Sequence, residues 1–363
     1  MQILLVFGGR SVEHEVSIRS AACIYQGLCA NNNNVVMCAG IDRSGQWYTQ
    51  DGHKFFSRIN GHHVPEISFR TGEKVWLCRK NNQVILVREN NNIVFTPDIV
   101  FPITHGTYGE DGSLQGLFQQ LSIPFVGCDV CASACAMDKD ITKRLLRDAG
   151  IAVAPWQTIH AREKHEVVYA QLAQKFGSKL FVKPARIGSS IGATLVSNEG
   201  EFKKAVDFAF RFDNKILVEQ CIVGREIEFA VLGNEDVCVS PPGEISSDTD
   251  FYTYEDKYIS DKATLKVATR MEPPVQMEGQ QLAHRAYQAL GCEGLARVDF
   301  FLVNDKEWMV NEINTLPGFT SISMYPKLWE VGGKSLDVLL EELIILSLER
   351  YKCQSGYILT RNN

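Results

Sequence analysis

The segment from Leu295 to Asn314 constrains this chain more than any other. Val298 to Val303 and Glu307 to Ile313 carry the branched and aromatic residues of strands, and Asn304-Asp305-Lys306 between them has turn chemistry. A two-residue turn at Asp305-Lys306 sets Asn304 against Glu307, and the same register brings Asp299 opposite Glu312 and Arg297 opposite Asn314. Side chains alternate faces along a strand, so Arg297, Asp299, Glu312 and Asn314 share one face. Two carboxylates directly across a sheet repel. A hard divalent cation removes that objection, because oxygen donors from Asp, Glu and Asn suit Mg²⁺. A solvated face would tolerate the same charges, but Phe301, Met309 and Ile313 mark a hairpin embedded in a core. Metal binding through Asp299, Glu312 and Asn314 is the expectation.

A chain of 363 residues suggests two or three domains at roughly 150 residues each. Its 45% hydrophobic and 22% charged composition can build substantial cores. The net charge of -6, with mixed signs, gives no basic surface for nucleic acid. No run of about 18 apolar residues occurs, which excludes a membrane-spanning helix. The opening MQILLVFGG has no cationic segment and runs straight into a core strand, unlike a signal peptide, so the expected compartment is the cytoplasm. Eleven cysteines are an odd count without framework spacing. Cys128, Cys131 and Cys135 form a CxxC with a third thiol, but no fourth ligand lies close. Their small neighbours Ala132, Ser133, Ala134 and Ala136 suit a tightly packed helix, so these thiols read as structural.

Gln2 to Phe7 is a short apolar run ending in Gly8-Gly9, followed by a helical pattern from about Val12 to Leu28. A strand, a glycine turn and a helix open many α/β domains. The polar stretch from Asp42 to Asn92 holds strand-like pieces at Val75 to Leu77 and Val84 to Val87, and the asparagine runs 31–34 and 90–92 read as loops. Ile99 to Pro102 is a further buried strand leading into HGTYGEDGS, and a first boundary falls near Gly127. A helix from about Met137 to Ala149 stops at Gly150. Lys179 to Lys183 and Ile216 to Glu219 are strands, and a second boundary falls near Gln220. Helices follow at Met277 to Leu290 and from about Leu336 to Leu348. The chain divides into three α/β pieces, 1–127, 128–219 and 220–363.

Lys183 closes the strand Leu180-Phe181-Val182, and Gly188-Ser189-Ser190-Ile191-Gly192 follows. Such a loop can bring backbone N–H groups to phosphate while the lysine supplies charge. The G-K-[ST] ending of a Walker A motif is missing, and a simple surface turn fits the loop equally well. Glu219 ends the next apolar strand, and Glu226 follows in GREIEFAVLG; carboxylates there could meet an adenine amino group and a ribose. Single glutamates are most often surface charges. Their order lifts them: lysine strand, Gly-Ser loop, acidic strand end, metal hairpin.

That order resembles the ATP-grasp ligases and, within them, the D-alanine–D-alanine ligases of the longer bacterial type. The motifs that carry the resemblance are FGGRSVEHEVS, HGTYGEDGSLQG, MDKDITKRLLRDAG, VKPARIGSSIG, VEQCIVGREIEFAVLG, FYTYEDKY, ARVDFF and NEINTLPGFTSISMYPKLW, in the family's order and across nearly the whole chain. Ala185-Arg186-Ile187 and the asparagine-rich insertions depart from the pattern without touching a residue that carries chemistry.

The resemblance implies a three-domain ATP-grasp architecture with a Rossmann-like N-terminal domain, the nucleotide lying between the central and C-terminal sheets. It implies that Lys139, Lys183 and Lys257 contact phosphates, that Glu219 and Glu226 bind adenine and ribose with the Ile222 backbone near the base, and that Phe301 and Asn311 border the nucleotide. Asp299, Glu312 and Asn314 would hold two Mg²⁺ (or Mn²⁺). Glu15 would fix the ammonium of the first D-alanine, helped by His105, with Ser189 and Tyr258 linked to Glu15. Ser323 and Met324 would bind the second D-alanine's carboxylate, and Arg297 with the Gly318 backbone would face the developing oxyanion. The segment Asp248 to Ser260, rich in Tyr and charge, suits a lid that excludes water from an acyl phosphate. A homodimer is usual in the family.

The nearest alternative is a ligase joining D-alanine to D-lactate or D-serine. In relatives of the first kind the lid tyrosine is absent, and the second commonly carries a basic residue where Met324 stands; Lys257-Tyr258 and SMYP look like the dipeptide-forming type. A dinucleotide-binding oxidoreductase is suggested by the strand–GG–helix opening, but the full G-x-G-x-x-G is missing. A catalytically dead relative is disfavoured because the expected metal and phosphate residues are present.

Overall fold

The computed structural model describes residues 1–61, 63–246 and 264–357. Among these residues three sheets form. The first runs in the order β6-β5-β4-β3-β2-β1-β7 and is built from β1 (Gln2–Gly8), β2 (Val35–Ile41), β3 (Trp47–Gln50), β4 (Lys74–Lys80), β5 (Gln83–Arg88), β6 (Ile93–Phe95) and β7 (Ile99–Pro102). Only β2-β1-β7 is parallel, and there Ile3 to Phe7 are fully buried because both sheet faces are covered. Helix α1 (His14–Ala30) covers one face, and the helix Ser113–Leu121 packs on the other through Leu114 and Phe118. The strands β3 to β6 form an antiparallel meander. Its β4–β5 turn is Asn81-Asn82, with φ of 49° and 62°, a conformation asparagine tolerates better than most residues.

The second sheet, β10-β9-β11-β8, is antiparallel and comprises β8 (Trp156–His160), β9 (Leu180–Pro184), β10 (Thr194–Val196) and β11 (Lys215–Gln220). The helices Tyr169–Phe176 and Glu199–Ala209 bury Leu172, Phe176, Phe202 and Val206 against it. The third follows β15-β14-β12-β16-β17, from β12 (Arg225–Gly233), β13 (Cys238–Val239), β14 (Gly243–Ser246), β15 (Thr264–Lys266), β16 (Gly294–Val303) and β17 (Glu307–Asn314). One face of it is apolar: Phe229, Phe300 and Trp308 meet with ring centroids 5.4 to 5.8 Å apart beneath the helix Pro273–Ala289. The opposite face is charged and carries the site.

The helices Val130–Met137 and Lys139–Asp148 follow the first expected boundary, yet Ala132, Ala136 and Leu146 pack into the core of the third sheet with Val298 and Val310. The small side chains around Cys131 and Cys135 suit this close packing, and buried Cys128 bonds the carbonyls of Glu293 and Leu295 at 3.3 and 3.4 Å. The first and third sheets also share a core. Helix α1 meets the long helix Leu336–Ser355, where a side chain at Gly27 would clash with Leu340. Among the described residues no helix is long and apolar enough to cross a membrane.

Candidate active site

The charged face of the third sheet is set by register. Arg297 pairs with Asn314 and Asp299 with Glu312, as expected, but the route differs. The turn is not the two-residue Asp305-Lys306: Val303 pairs with Glu307, leaving a three-residue connection in which Asn304 and Asp305 take φ of 50° and 55°. Asparagine and aspartate reach that conformation at lower cost than lysine. The longer turn moves every partner by one position, and a bulge at Asn311 moves them back before Asp299 is reached. The bulge also lets the consecutive residues Asn311 and Glu312 both line the cleft.

On β12, Glu226 lies opposite Phe301 and Glu228 opposite Asp299. Glu228 was missed by the sequence reading, although the alternation in REIEF puts it on the same face as Glu226. Arg297 lies among these acids. Its Nε and Nη2 donate to Asp299 at 2.7 and 2.6 Å, and Nε lies 3.2 Å from Glu228. Burial opposes its charge, but Asp299 and then Glu228 outweigh burial and hold its pKa well above the ordinary value. Lys139 approaches Glu312 at 3.9 Å. Each member of the carboxylate pair therefore has a cation of the protein beside it, so repulsion alone does not demand a metal. The donor set still fits one: Asp299, Glu312 and Asn314 offer hard oxygens on one face.

The facing wall belongs to the second sheet. Lys183, on β9, places its ammonium 2.8 Å from Glu219 on β11. A second lysine, Lys143, reaches the other Glu219 oxygen at 3.3 Å and donates to the Ala154 carbonyl at 3.1 Å. Lys139 donates to the Ile187 carbonyl at 2.8 Å. Burial lowers the pKa of Lys139 and brings that of Lys143 down to about 8. Burial raises that of Glu219, but Lys143 and Lys183 together hold it below the ordinary value. Lys143 was not anticipated; its spacing of four from Lys139 in MDKDITK was the available signal.

Between the walls lies a cleft of about 600 Å³, within the range of small-ligand pockets. Lys139, Lys183 and Glu312 line its polar end, Phe181, Leu195, Ile245 and Phe301 supply apolar surface, and Ile222 and Glu226 also border it. Lys179 lines the cleft too and was missed.

The Ser loop crosses to the first sheet. Ser189 and Ser190 have φ of 53° and 58°, and the Ser189 hydroxyl donates to a carboxylate. That carboxylate belongs to Glu13, which corrects the expectation of Glu15. Glu13 is buried, and a side chain at Gly188 would come within 3.1 Å of it. Glu15, two residues on, faces the opposite side of helix α1 and pairs with Arg43 at the surface. Spacing in the string EHE could not tell which acid faces inward.

His105 is buried, and both its ring nitrogens are engaged. Nδ1 lies 3.1 Å from the Leu316 carbonyl, which can only accept, so Nδ1 carries the proton. In the neutral ring Nε2 then accepts from Ser20 at 3.1 Å, and Ser20 Oγ accepts the Phe319 N–H at 3.1 Å. His105 thus holds the 316–319 loop, where the sequence reading set it beside an ammonium. Gly318 packs against Ser323, since a Cβ there would lie 2.7 Å from the serine oxygen. Ser323 caps no backbone of its helix with its side chain; it bonds Thr320. The Met324 side chain is buried against Gly243, leaving its backbone at the start of the helix Met324–Val331. Lys257, Tyr258 and the segment Asp248 to Ser260 lie outside the described residues.

Comparison with known proteins points the same way. Residues 2–128 match the family model described as D-ala D-ala ligase N-terminus, and residues 145–345 that described as D-ala D-ala ligase C-terminus. The chain is 46% identical over 359 residues to D-alanine–D-alanine ligase A of Escherichia coli strain K12, covering 98% of each. It superposes on the D-alanine–D-alanine ligase of Coxiella burnetii with a TM-score of 0.85 at 38% identity, covering 98% of this chain and 97% of that one. A D-Ala:D-Ser ligase from Enterococcus faecalis gives 0.82 at 33% identity, covering 95% and 99%. With both family models spanning most of its length and a cleft walled by lysines on one side and carboxylates on the other, the chain belongs to the D-alanine–D-alanine ligase family.

Proposed function

We propose that this chain joins two D-alanine molecules into D-alanyl-D-alanine for peptidoglycan precursor synthesis, with release of ADP and phosphate. The observation that carries the reading is the cleft in which Lys139 and Lys183 face Glu312 and Asn311. A carboxylate is a poor acyl donor, so ATP must supply the leaving group. The carboxylate of the first D-alanine attacks the γ-phosphate, giving D-alanyl phosphate and ADP. The amine of the second then attacks the acyl carbonyl, and phosphate leaves.

Each wall has its part in that chemistry. Lys139, Lys183 and, outside the described residues, Lys257 spread phosphoryl charge. Glu219, Glu226, Ile222, Phe301 and Asn311 border the nucleotide. Asp299, Glu312 and Asn314 would hold two Mg²⁺ or Mn²⁺, which supply charge neutralisation on the phosphates. Glu13 takes the role of fixing the first ammonium, because it is the buried acid that meets Ser189. Arg297 and the Gly318 N–H stabilise the tetrahedral oxyanion, the latter held in place through Ser20 and His105. Ser323 and the Met324 backbone receive the second carboxylate. A homodimer in the cytoplasm, with three domains divided near residues 127 and 220, completes the reading.

ADP release should require D-alanine and Mg²⁺ together. ADP release that is indifferent to D-alanine, or that is faster with D-serine or D-lactate as second substrate, overturns the assignment. The apolar burial of Met324, which leaves no basic side chain at that position, favours D-alanine.

A further inference from the structure

We propose that Lys143 is a positioning residue for the nucleotide, holding one oxygen of Glu219 so that the Lys183 ammonium stays available to the phosphates. This inference rests on the function proposed above. Lys143 is 1% exposed and does not line the cleft, so it cannot touch a ligand itself. Its ammonium is fixed by the Ala154 carbonyl, stands 5.7 Å from the centre of the Trp156 ring and faces Glu219 Oε1. Glu219 is thereby divided between two lysines, one on each oxygen.

Without Lys143, the buried Glu219 charge would fall to Lys183 alone. A buried carboxylate holds its remaining partner tightly, because nothing else compensates its desolvation. Lys183 would become one half of a neutral pair. With Lys143 present, Glu219 has a cation on each oxygen, and Lys183 is shared between that carboxylate and the cleft. Burial has already brought Lys143 down to about 8, which marks how much desolvation the fold accepts to keep an ammonium there. Lys143 also stands on the helix Lys139–Asp148, which packs on the third sheet, whereas Glu219 and Lys183 stand on the second. The contact ties that helix to the second sheet.

The test uses the full chain as wild type, Lys143→Met, Lys143→Arg, Glu219→Gln and the double variant Lys143→Met/Glu219→Gln. Steady-state ADP release gives KM for ATP and for D-alanine, and calorimetry gives ATP affinity directly. Lys143→Met should raise KM for ATP by about tenfold or more while KM for D-alanine stays within about twofold. Glu219 itself lines the cleft, so the double variant is compared with Glu219→Gln. Adding Lys143→Met there should change ATP affinity by less than about twofold, because no carboxylate charge is left to hold Lys183. Lys143→Arg should stay near wild type. Equal rises in both KM values, or a loss of ATP affinity from Lys143→Met that is as large in the Glu219→Gln background as in wild type, overturn the proposal. Should Lys143→Met fail to fold, Lys143→Arg decides: a tenfold loss of ATP affinity in that folded, charged variant sinks the idea. A wild-type enzyme that releases no ADP with D-alanine would defeat the proposed activity instead, and ATP calorimetry on the variants would still test Lys143.

Discussion

The two walls of the cleft reach their charge in opposite ways. The carboxylate wall is a product of register: Glu226, Glu228, Arg297, Asp299, Glu312 and Asn314 share a face because three neighbouring strands pair in step. The lysine wall has no such pattern. Lys183 comes from a strand, Lys139 and Lys143 from a helix, and all three meet around Glu219 and Glu312 through tertiary packing. A wall built by register fails as a unit when the register slips by one residue, whereas a wall built by packing should fail one side chain at a time.

Inserting an alanine between Val310 and Asn311 puts the first half of that contrast at greatest risk. The bulge accommodates one extra residue; with two, Asn311 falls opposite Asp299, and Glu312 moves to the opposite face with everything that follows it. ADP release should fall by about 10³-fold or more, with Mg²⁺ dependence lost at the same time. Activity within tenfold of wild type would mean that the bulge absorbs the insertion and that register does not set the wall. Lys183→Ala tests the other wall. Loss of one phosphate-facing charge should lower kcat by about 10²-fold while Mg²⁺ dependence persists. An unchanged kcat would remove Lys183 from the chemistry.

The same contrast explains what could be read from the sequence. The hairpin partners Asp299–Glu312 and Arg297–Asn314 were legible because strand alternation is strict, yet the reading was right through two offsetting errors, a turn too short and a bulge unseen. The strands around Lys183 and Glu219, and the glycine turn after β1, were legible from apolar runs that end in polar residues. Lys143 was not, because a lysine on a helix is normally solvated, and only the buried carboxylate of another element makes it belong inside. Glu15 was carried over from the resemblance in place of Glu13 because the motif offers two acids in EHE; helix α1 begins at His14, and the acid that faces inward stands just before that start. Cap positions depend on where the preceding loop delivers the chain, which periodicity does not report.

That correction sets a smaller prediction, aimed at the closure between the Ser loop and the first sheet. Glu13→Gln should raise KM for D-alanine by about tenfold or more, since a charged hydrogen-bond partner of an ammonium is replaced by a neutral one. Glu15→Gln, at the exposed Arg43 pair, should leave both KM and kcat within about twofold. The reverse order of effects would return the role to Glu15.

The smallest effect concerns what holds the lysine wall in place. Asp140, on the same helix as Lys139 and Lys143, is buried and ties that helix to β8. Burial raises its pKa, but hydrogen bonds from Thr158 (2.6 Å), Trp156 (3.0 Å) and Arg144 (3.0 Å) outweigh it and bring the value down to about 2. A carboxyl whose pKa is lower in the folded than in the unfolded chain stabilises the fold above the unfolded value, near 4, and loses that contribution as pH falls through the folded one. Asp140 should therefore contribute on the order of 1–2 kcal/mol at neutral pH, fading between about pH 4 and 2. Asp140→Asn should melt lower than wild type at pH 7, and the gap should narrow across that acid window. Because Asp140 touches the lysine side only, its loss should disturb ATP affinity before D-alanine affinity. A gap that stays constant with pH would show that the carboxylate charge contributes nothing, and that the lysine wall stands on the packing of its helix alone.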